Sequence, residues 1–442
     1  MDINALFLRK KFWFYDFIFG SPIGKPYKEI EYISEHSCIE GQVIREQKLK
    51  DILNFAIKNC PFYYTVKSDN LSDFPIMNKS KYIDSYNQIR VPEDKISHQN
   101  GTVHIERTSG STGTPFAVPQ DTMKRQRRIA ELKYFGRIVG FNTHEKLIHL
   151  RAWNKWQEKT TKQIKSENII PFDISELSDD KLEELRKLII ESNAICLRGY
   201  ASSFDIIAKY VIEHPIEHSS LKICIAGSEA LHDDVRALVK KYLNCEIISQ
   251  YANEECGILA QERIPTKESD NVMYFNNAGY YFEFLKMDSD EPAEFGELCR
   301  IVITDFHNHA FPIIRYDNGD VGIISKPDEF SNGYPVLQKL YGRRLDVCYT
   351  TDNIPLSPMV IGRILKHYED ISQWQFIQKS QNEYILKVIM RNEISAVDYL
   401  QSPIGILKKH LGQSAIISIE QVNDIPVLNS GKRKSVINEW KK

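Results

Sequence analysis

Hydrophobic positions along the chain follow two periods, one typical of helices and one typical of strands. Residues 42–59 and 121–140 place apolar side chains at helical spacing. Short β-branched runs such as "LKICIAG" at 221–227 alternate with amphipathic segments such as "DDVRALVKKYL" at 233–243. Because strands that alternate with helices build βαβ units, this region predicts a layered α/β core with a partly parallel sheet.

The pattern changes from about residue 270. Runs such as "YYFEFL", "GELCRIVIT" and "VGIIS" are typical of antiparallel strands, and the last hundred residues hold three more strand-like runs and a helix. A chain of 442 residues is also too long for one ordinary core. We therefore predict an α/β fold with two domains. A large domain of several subdomains, with mixed and parallel sheets, spans 1–342, and a small α+β domain spans 343–442.

The first twenty residues, "MDINALFLRKKFWFYDFIFG", form the most apolar stretch near the N-terminus. Charges at Arg9, Lys10, Lys11 and Asp16 interrupt it, and no apolar run in the chain reaches the roughly 18 residues of a membrane span. No small-residue cleavage site follows, so a signal peptide is not expected. The favoured interpretation is an amphipathic helix packed on the protein. A helix that lies on a membrane surface or binds a partner is the alternative.

The net charge argues against a nucleic-acid-binding protein, and the cysteine spacing argues against a protein held together by disulfides. The formal net charge of −2 lacks the basic excess of a dedicated nucleic-acid binder. The eight cysteines form no CxxC pair, and a chain of this size needs no disulfide framework. We therefore expect reduced thiols, a cytoplasmic location and no nucleic-acid partner.

A small polar loop, "RTSGSTGTPFAV" at 107–118, is the first candidate for chemistry. Glycines let backbone N–H groups converge on one point, and hydroxyl groups add donors, so such a nest suits phosphate. It is not a Walker A loop, because Thr114 and not lysine follows Gly113. A plain surface loop is the alternative. The candidate phosphate-binding residues are Thr108, Ser109, Gly110, Ser111, Thr112, Gly113 and Thr114.

Five more motifs follow that loop. The six, in chain order, are "SGSTGTP" (109–115), "AGSEAL" (226–231), "QYANEECG" (250–257), "PIIRYDNGD" (312–320), "YGRRLDV" (341–347) and "NSGKRKS" (429–435). In order and spacing they resemble the adenylate-forming superfamily of acyl-CoA synthetases, luciferases and peptide-synthetase adenylation domains. The nearest branch is the phenylacetate–CoA ligase-like group, which includes relatives associated with capsular polysaccharide biosynthesis.

The resemblance implies an AMP-forming acid ligase. A carboxylate attacks the α-phosphate of ATP, which gives an acyl adenylate and pyrophosphate, and the acyl group then passes to CoA. Lys432 matches the lysine that bridges the carboxylate and the α-phosphate. Glu255 matches the glutamate that holds Mg²⁺ on the phosphates, with Glu254 as the neighbouring alternative. Arg343 would contact ribose or phosphate, and Asp346 matches the hinge about which the small domain moves.

The remaining nucleotide contacts are also assigned through the resemblance. Tyr251 would stack on adenine, with Gly227, Ser228 and Glu229 lining the same pocket. Asp320 would accept hydrogen bonds from both ribose hydroxyls, since one carboxylate can accept two bonds at once. The alternative interpretations are a core tyrosine and a turn aspartate after Asn-Gly.

Two departures from the family pattern leave the acid and the acyl acceptor open. The predicted acid pocket is polar, with Arg151, Trp153, Arg198 and Tyr200, which favours an amino, hydroxy or sugar acid. Residues 350–353, "TTDN", replace a glycine-containing loop that lets CoA approach. The acceptor is therefore CoA or, alternatively, an amine, sugar or carrier in surface polysaccharide biosynthesis.

Two other outcomes stay open. A non-catalytic nucleotide-binding protein is disfavoured because Lys432 and Glu255 are both present. A homodimer is compatible with the family. Zinc is not expected, since Cys256, Cys299, His307 and His309 lack the usual ligand-pair spacing; core thiols and loop histidines are the alternative.

Overall fold

The computed structural model describes residues 3–107, 116–151, 159–175, 177–265, 271–343, 347–356, 358–366, 368, 370–392, 394–425 and 436–440. The helices in these ranges are α1 (Ile3–Ile18), α2 (Gly24–Glu35), α3 (Cys38–Asn59), α4 (Lys79–Asp84), α5 (Tyr86–Ile89), α6 (Thr122–Arg137), α7 (Thr161–Glu167), α8 (Asp179–Glu191), α9 (Ala201–Glu213), α10 (Asp233–Tyr242), α11 (Pro358–Lys366), α12 (Ala396–Tyr399) and α13 (Gln401–Leu411). No helix among them is both long and apolar enough to cross a bilayer.

The strands in the same ranges are β1 (Met77–Asn78), β2 (His104–Arg107), β3 (Ala117–Gln120), β4 (Leu147–Arg151), β5 (Ile169–Asp173), β6 (Cys196–Tyr200), β7 (Ile223–Gly227), β8 (Glu246–Asn253), β9 (Gly257–Glu262), β10 (Met273–Phe275), β11 (Tyr280–Lys286), β12 (Leu298–Asp305), β13 (Tyr316–Ser325), β14 (Val336–Arg343), β15 (Cys348–Tyr349), β16 (Pro355–Leu356), β17 (Ile371–Gln378), β18 (Glu383–Met390), β19 (Ile416–Gln421) and β20 (Val436–Asn438).

Side-chain caps explain where several helices begin. The Ser37 hydroxyl accepts from the Glu40 backbone N–H, and the Glu40 carboxylate accepts from the Ser37 N–H, which together start α3. The Asp121 carboxylate accepts from the Lys124 N–H at 2.8 Å and starts α6. Each cap satisfies N–H groups that the first helical turn leaves without a partner.

A mixed sheet dominates the large region, in the order β11-β12-β13-β14-β10-β9-β8-β7-β6-β4-β5. Its half from β5 to β8 is parallel, and its half from β8 to β11 is antiparallel. The buried residues of β4, β6 and β7 pack against α8, α9 and α10 in one apolar cluster. β8 is thus the strand at which the two halves of the sheet meet.

The C-terminal residues form a separate sheet in the order β19-β18-β17-β20, with its own apolar cluster against α11 and α13. The predicted fold class is therefore confirmed: parallel and antiparallel sheets in a large region, then a small α+β sheet. The exact division at 342/343 stays a prediction; β14 extends to Arg343 and pairs with β13 there.

One local prediction needs correction. The pattern predicted a helix at 121–140 directly after the glycine loop, whereas β3 lies between the loop and α6 and pairs antiparallel with β2. The short run "AVPQ" contains a proline, which weakens the strand signal, but β3 needs only the four pairs that β2 supplies.

Candidate active site

The carboxyl ends of the parallel strands bring most of the predicted acid pocket together. β4 ends at Arg151, β6 at Tyr200 and β7 at Gly227. The register aligns Tyr200 with Gly227, and Gly227 with Gln250 of β8. Because side chains alternate between sheet faces, Arg198 shares the face of Tyr200. Ligands of open α/β sheets bind at this kind of edge.

Two arginines of this edge have different partners. The Arg151 guanidinium lies 3.2 Å from a carboxylate oxygen of Glu254. Arg198 donates only to the neutral amide oxygen of Gln250 among the described residues. Burial lowers the pKa of Arg198, and the charge of Arg151 acts in the same direction. Trp153, the other member of the predicted pocket, lies outside the described residues.

A histidine beside the two arginines is uncharged at neutral pH. Burial, together with the charges of Arg198 and Arg151, lowers the pKa of His149 to about 3. His149 pairs in register with Arg198 on the neighbouring strand. The pocket edge therefore carries one acid-paired guanidinium, one guanidinium on an amide and an uncharged imidazole at neutral pH.

The predicted adenine and ribose residues are in direct contact. The buried Tyr251 hydroxyl donates to Asp320 Oδ2 at 2.7 Å. The Asn318 amide donates to both, at 2.6 Å to the Tyr251 hydroxyl and 3.0 Å to Asp320 Oδ2. Burial and the Asp320 charge raise the pKa of Tyr251 far above its usual value, so the hydroxyl stays a donor. Arg343 of β14 pairs in register with Asp320, although its side chain is not described.

The predicted adenine segment lies at the end of β7. Gly227 is the last residue of that strand, and Ser228 follows with a left-handed φ of 64°. Residues other than glycine rarely adopt this backbone conformation, and it marks a sharp turn of the chain here. Glu229 then accepts a hydrogen bond from the Ser202 backbone N–H at the start of α9, at 2.9 Å. This bond ties the adenine segment to the end of β6.

The two neighbouring glutamates of the turn after β8 have different environments. Glu255 is 7 % exposed and accepts a hydrogen bond from the Tyr316 hydroxyl at 3.2 Å. Its second carboxylate oxygen has no hydrogen-bond partner among the described residues, so it can ligate a cation. Glu254 is more exposed and is occupied by Arg151, with Arg128 at 3.9 Å. The arrangement favours Glu255 over Glu254 as the metal-binding carboxylate.

Tyr251 and Glu255, four residues apart, contact Asp320 and Tyr316, also four residues apart on β13. Both ends of the Tyr-x-x-x-Glu motif therefore contact β13, a strand that is not paired with β8 in the sheet. Gln120, at the end of β3, donates to the Glu255 backbone carbonyl at 3.3 Å. This bond connects the hairpin that carries the glycine loop to the same site.

Several predicted residues lie outside the described part of the chain. Besides Trp153, they are the loop residues 108–114, Asp346 and the catalytic candidate Lys432. The strands that flank the loop, β2 and β3, are described. Gln120, which contacts the Glu255 backbone, pairs with His104 at the end of this hairpin away from the loop.

Sequence reasoning missed Asn318, Gln250, Gln120 and Tyr316. Asn318 and Tyr316 lie inside the quoted motif "PIIRYDNGD", where their positions beside Asp320 were a usable signal. Gln250 opens the quoted motif "QYANEECG", whereas Gln120 lies in no quoted motif. The contacts of both glutamines join residues more than 50 positions apart, which no local pattern predicts.

One group of described residues has the chemistry of a metal site. His98, Asp121 and His309 bring one ligand atom each within 4.8 Å of one another. Asp121 already caps α6 and accepts from the His309 backbone N–H at 2.6 Å, so the group also has a structural explanation. Cys256 and His307, which the sequence placed among metal candidates, are outside this group; burial raises the pKa of the thiol and lowers that of the imidazole.

Comparisons with known proteins agree with this architecture. Residues 348–439 match the family model of the CapK C-terminal domain. The chain is 24 % identical over 436 residues to Protein CapK of Staphylococcus aureus, covering 94 % of this chain and 92 % of that protein.

Two solved structures of ligases are also similar to this chain in fold. The chain is similar to 2-hydroxyisobutyryl-CoA ligase in an open conformation with 2-HIB-AMP and CoA, with a TM-score of 0.63 and 16 % identity over 91 % of this chain and 92 % of that chain. It is also similar to the anthranilate CoA ligase AuaEII with anthranoyl-AMP, with a TM-score of 0.53 and 14 % identity over 75 % of this chain and 64 % of that chain. The predicted resemblance to adenylate-forming ligases is confirmed, at the level of the fold.

Proposed function

We propose that the protein activates a carboxylic acid with ATP, forms an acyl adenylate and releases pyrophosphate. The observation that carries this proposal is the anchoring of Tyr251 and Glu255 on Asp320 and Tyr316 of one strand. It supports roles for Asp320 as the carboxylate that would bind ribose and for Glu255 as the carboxylate that would bind the cation. The similar ligases were solved with acyl adenylates, which supports the same first step here.

The chemistry requires two anions to meet. An oxygen of the substrate carboxylate attacks the α-phosphorus, and the bond to the β-phosphate oxygen breaks as pyrophosphate leaves. The 108–114 loop would hold the β- and γ-phosphates, and Lys432 would bridge the carboxylate and α-phosphate. Glu255 would hold Mg²⁺, which supplies charge neutralisation on the phosphates. Arg343 would contact the ribose or the phosphates.

The pocket edge supports a polar acid over a fatty one. Arg198 has a neutral hydrogen-bond partner, whereas Arg151 is already paired with Glu254. A partly buried guanidinium without an acidic partner favours a ligand that brings a carboxylate or hydroxyl group to it. We therefore propose an amino, hydroxy or sugar acid as the substrate class, with Arg198 and Tyr200 in contact with its polar end.

CoA is the first proposed acceptor, since 2-hydroxyisobutyryl-CoA ligase was solved with CoA bound. A specific observation favours a non-CoA acceptor as the second candidate. Residues 350–353 form the closed turn between β15 and β16, in which the Thr350 N–H donates to the Ile354 carbonyl at 2.8 Å. Thr350 and Thr351 are both buried. A closed turn with buried threonines offers less room for pantetheine than a glycine-containing loop.

Movement of the small domain about Asp346 would bring Lys432 to the site for adenylation and withdraw it afterwards. We propose this alternation together with the division at 342/343. A cytoplasmic location and a homodimer remain predictions.

The test is pyrophosphate release with ATP and Mg²⁺ over a panel of aryl, fatty, amino, hydroxy and sugar acids. Each acid is assayed with and without CoA, on the wild type, on Lys432→Ala and on the matched control Lys434→Ala. The proposal expects turnover of a polar acid that falls at least about a hundredfold in Lys432→Ala, the scale of losing one oxyanion-type donor. Lys434→Ala should stay near wild type.

The two acceptors give different results. A rate that depends on CoA, with a thioester product, selects CoA. Pyrophosphate release that ignores CoA selects an amine, sugar or carrier. ATP binding without turnover of any acid in the panel would contradict the proposal and favour a nucleotide-binding protein.

A further inference from the structure

The inner face of α1 is held to the protein by its charged residues. The Arg9 guanidinium donates to the Thr143 carbonyl at 2.9 Å and lies 3.4 Å from Glu145. The buried Asp16 carboxylate accepts from the backbone N–H groups of Ile23 and Gly24, at 2.8 and 2.9 Å, at the start of α2. The helix is thus fixed in one rotation about its axis.

That rotation directs an apolar stripe to solvent. Ile3, Phe7, Phe14 and Ile18 follow one another at spacings of four, seven and four residues, which places them on one helix face. They are 83, 61, 61 and 55 % exposed. Phe17 extends the stripe at 75 % exposure. The opposite face packs Ala5, Phe12 and Trp13 on the protein, so α1 carries apolar side chains on two faces and leaves this one exposed.

Two lysines flank the stripe. At 100° per residue, Lys10 and Lys11 lie on opposite sides of the line from Phe7 to Phe14, and both are exposed. Lysine is depleted in the cores of protein–protein interfaces. Two copies of this face in contact would also bring four ammonium groups together. An anionic lipid surface with an apolar interior avoids both the burial of lysine and the repulsion between ammonium groups. The lysine stems can extend and place their charges on phosphates.

We propose that α1 lies flat on an anionic lipid bilayer, with the stripe in the boundary between headgroups and acyl chains and with Lys10 and Lys11 on the lipid phosphates. The dimensions agree: sixteen residues extend about 24 Å, shorter than the roughly 30 Å hydrocarbon core but ample for an interfacial helix. The large domain would then work at the membrane surface without spanning it.

The test is co-sedimentation of the full chain with vesicles of phosphatidylcholine containing phosphatidylglycerol, and with phosphatidylcholine vesicles alone. The wild type should bind the anionic vesicles and bind the neutral ones weakly. Phe14→Ser/Phe17→Ser and Lys10→Glu/Lys11→Glu should each lower the partition constant by at least about tenfold, since each basic residue near an anionic surface contributes measurably. Raised salt should weaken the binding that remains in the serine variant.

Matched controls use the small domain. Val397→Ser/Ile416→Ser removes two exposed apolar side chains, and Lys408→Glu/Lys409→Glu reverses two adjacent charges on α13. Both controls should bind anionic vesicles as the wild type does. All variants should retain the wild-type melting temperature, because the altered side chains of α1 are exposed.

Two results would overturn the inference. One is wild-type protein that stays in the supernatant with anionic vesicles. The other is a dimer, measured by light scattering, that Phe14→Ser/Phe17→Ser abolishes while vesicle binding is absent or unchanged; the stripe would then be an interface between copies of this chain.

Discussion

Tyr251 offers a sharp test of how the nucleotide site is held together. Substitution by phenylalanine keeps the ring that was predicted to stack on adenine and removes only the hydroxyl. In the structure that hydroxyl donates to Asp320 Oδ2 at 2.7 Å and accepts from Asn318 at 2.6 Å. If Tyr251 acts only through its ring, Tyr251→Phe should bind ATP normally. If it positions the carboxylate of Asp320, binding should weaken.

The expected size of the effect follows from these contacts. A hydrogen bond to a charged acceptor contributes about 1.5–3 kcal/mol, which corresponds to roughly 10- to 150-fold in affinity. Asn318 still donates to the same carboxylate oxygen at 3.0 Å after the change. Because this second donor remains, we expect the lower end, about a tenfold rise in the Kd for ATP. Tyr251→Leu, which loses the ring as well, should bind more weakly than Tyr251→Phe.

The assay is calorimetric titration of the protein with ATP and Mg²⁺, which needs no knowledge of the acid. Tyr210→Phe is the matched control, since it removes another tyrosine hydroxyl that donates to a carboxylate, that of Glu183 at 3.2 Å. It should leave the Kd unchanged. Tyr251→Phe and Asp320→Asn should combine less than additively, because the hydroxyl acts through that carboxylate.

A Kd for Tyr251→Phe within about twofold of the wild type, less than 0.5 kcal/mol, would refute the positioning role. So would full additivity with Asp320→Asn. In either case Asp320 would be held without the Tyr251 hydroxyl, and Tyr251 would act through its ring.

Two further predictions concern buried charges. Lys124 Nζ lies 2.6 Å from Asp305 Oδ2 with both side chains fully buried, so Lys124→Met leaves an unpaired carboxylate and should lower the free energy of unfolding in urea by about 3–5 kcal/mol; a loss below 1 kcal/mol would contradict this. Burial lowers the pKa of His144 to about 4. The unfolded chain takes up that proton near pH 6.5, so stability should fall between pH 6.5 and 4. His144→Asn, which tolerates the left-handed φ of 62°, should flatten this fall in melting temperature; an unchanged slope would oppose it.

Local patterns predicted the parallel half of the fold well because each of its strands is a short apolar run that ends where a helix begins. The run at 221–227 corresponds to β7, and the segment at 233–243 corresponds to α10 with one residue fewer. Their order along the chain also determines that the carboxyl ends of β4, β6 and β7 share one edge. Arg151, Tyr200 and Gly227 could therefore be grouped before the structure was known.

The side-chain contacts of the antiparallel half could not be predicted from local patterns. Its contacts depend on register, and β13 shifts register twice against β14, between Val321 and Gly322 and between Ile323 and Ile324. A one-residue shift moves every side chain to the other face. The contact of Tyr251 with Asp320, 69 residues away, depends on the tertiary arrangement and not on any local pattern. The motif resemblance placed both residues at the nucleotide, but only the structure brings their side chains into contact.

The register of β8 matters for the proposed function because this strand contributes side chains to two parts of the site. Consecutive residues of this strand contact the two halves of the proposed site, since Gln250 contacts Arg198 of the proposed acid pocket and Tyr251 contacts Asp320. A shift of the β8 register by one residue would exchange the faces to which the Gln250 and Tyr251 side chains point.

The strand is held against that shift at Ser249, the residue before Gln250. Glu262 of β9 accepts from the Ser249 backbone N–H at 2.7 Å and forms a bidentate pair with Arg236 of α10 at 2.6 and 2.9 Å. The buried carboxylate thus joins β8, β9 and α10 one residue before the site begins. If the proposed acid and nucleotide pockets lie at Gln250 and Tyr251, this clamp aligns both of them, and a change at Glu262 should affect the binding of both ligands.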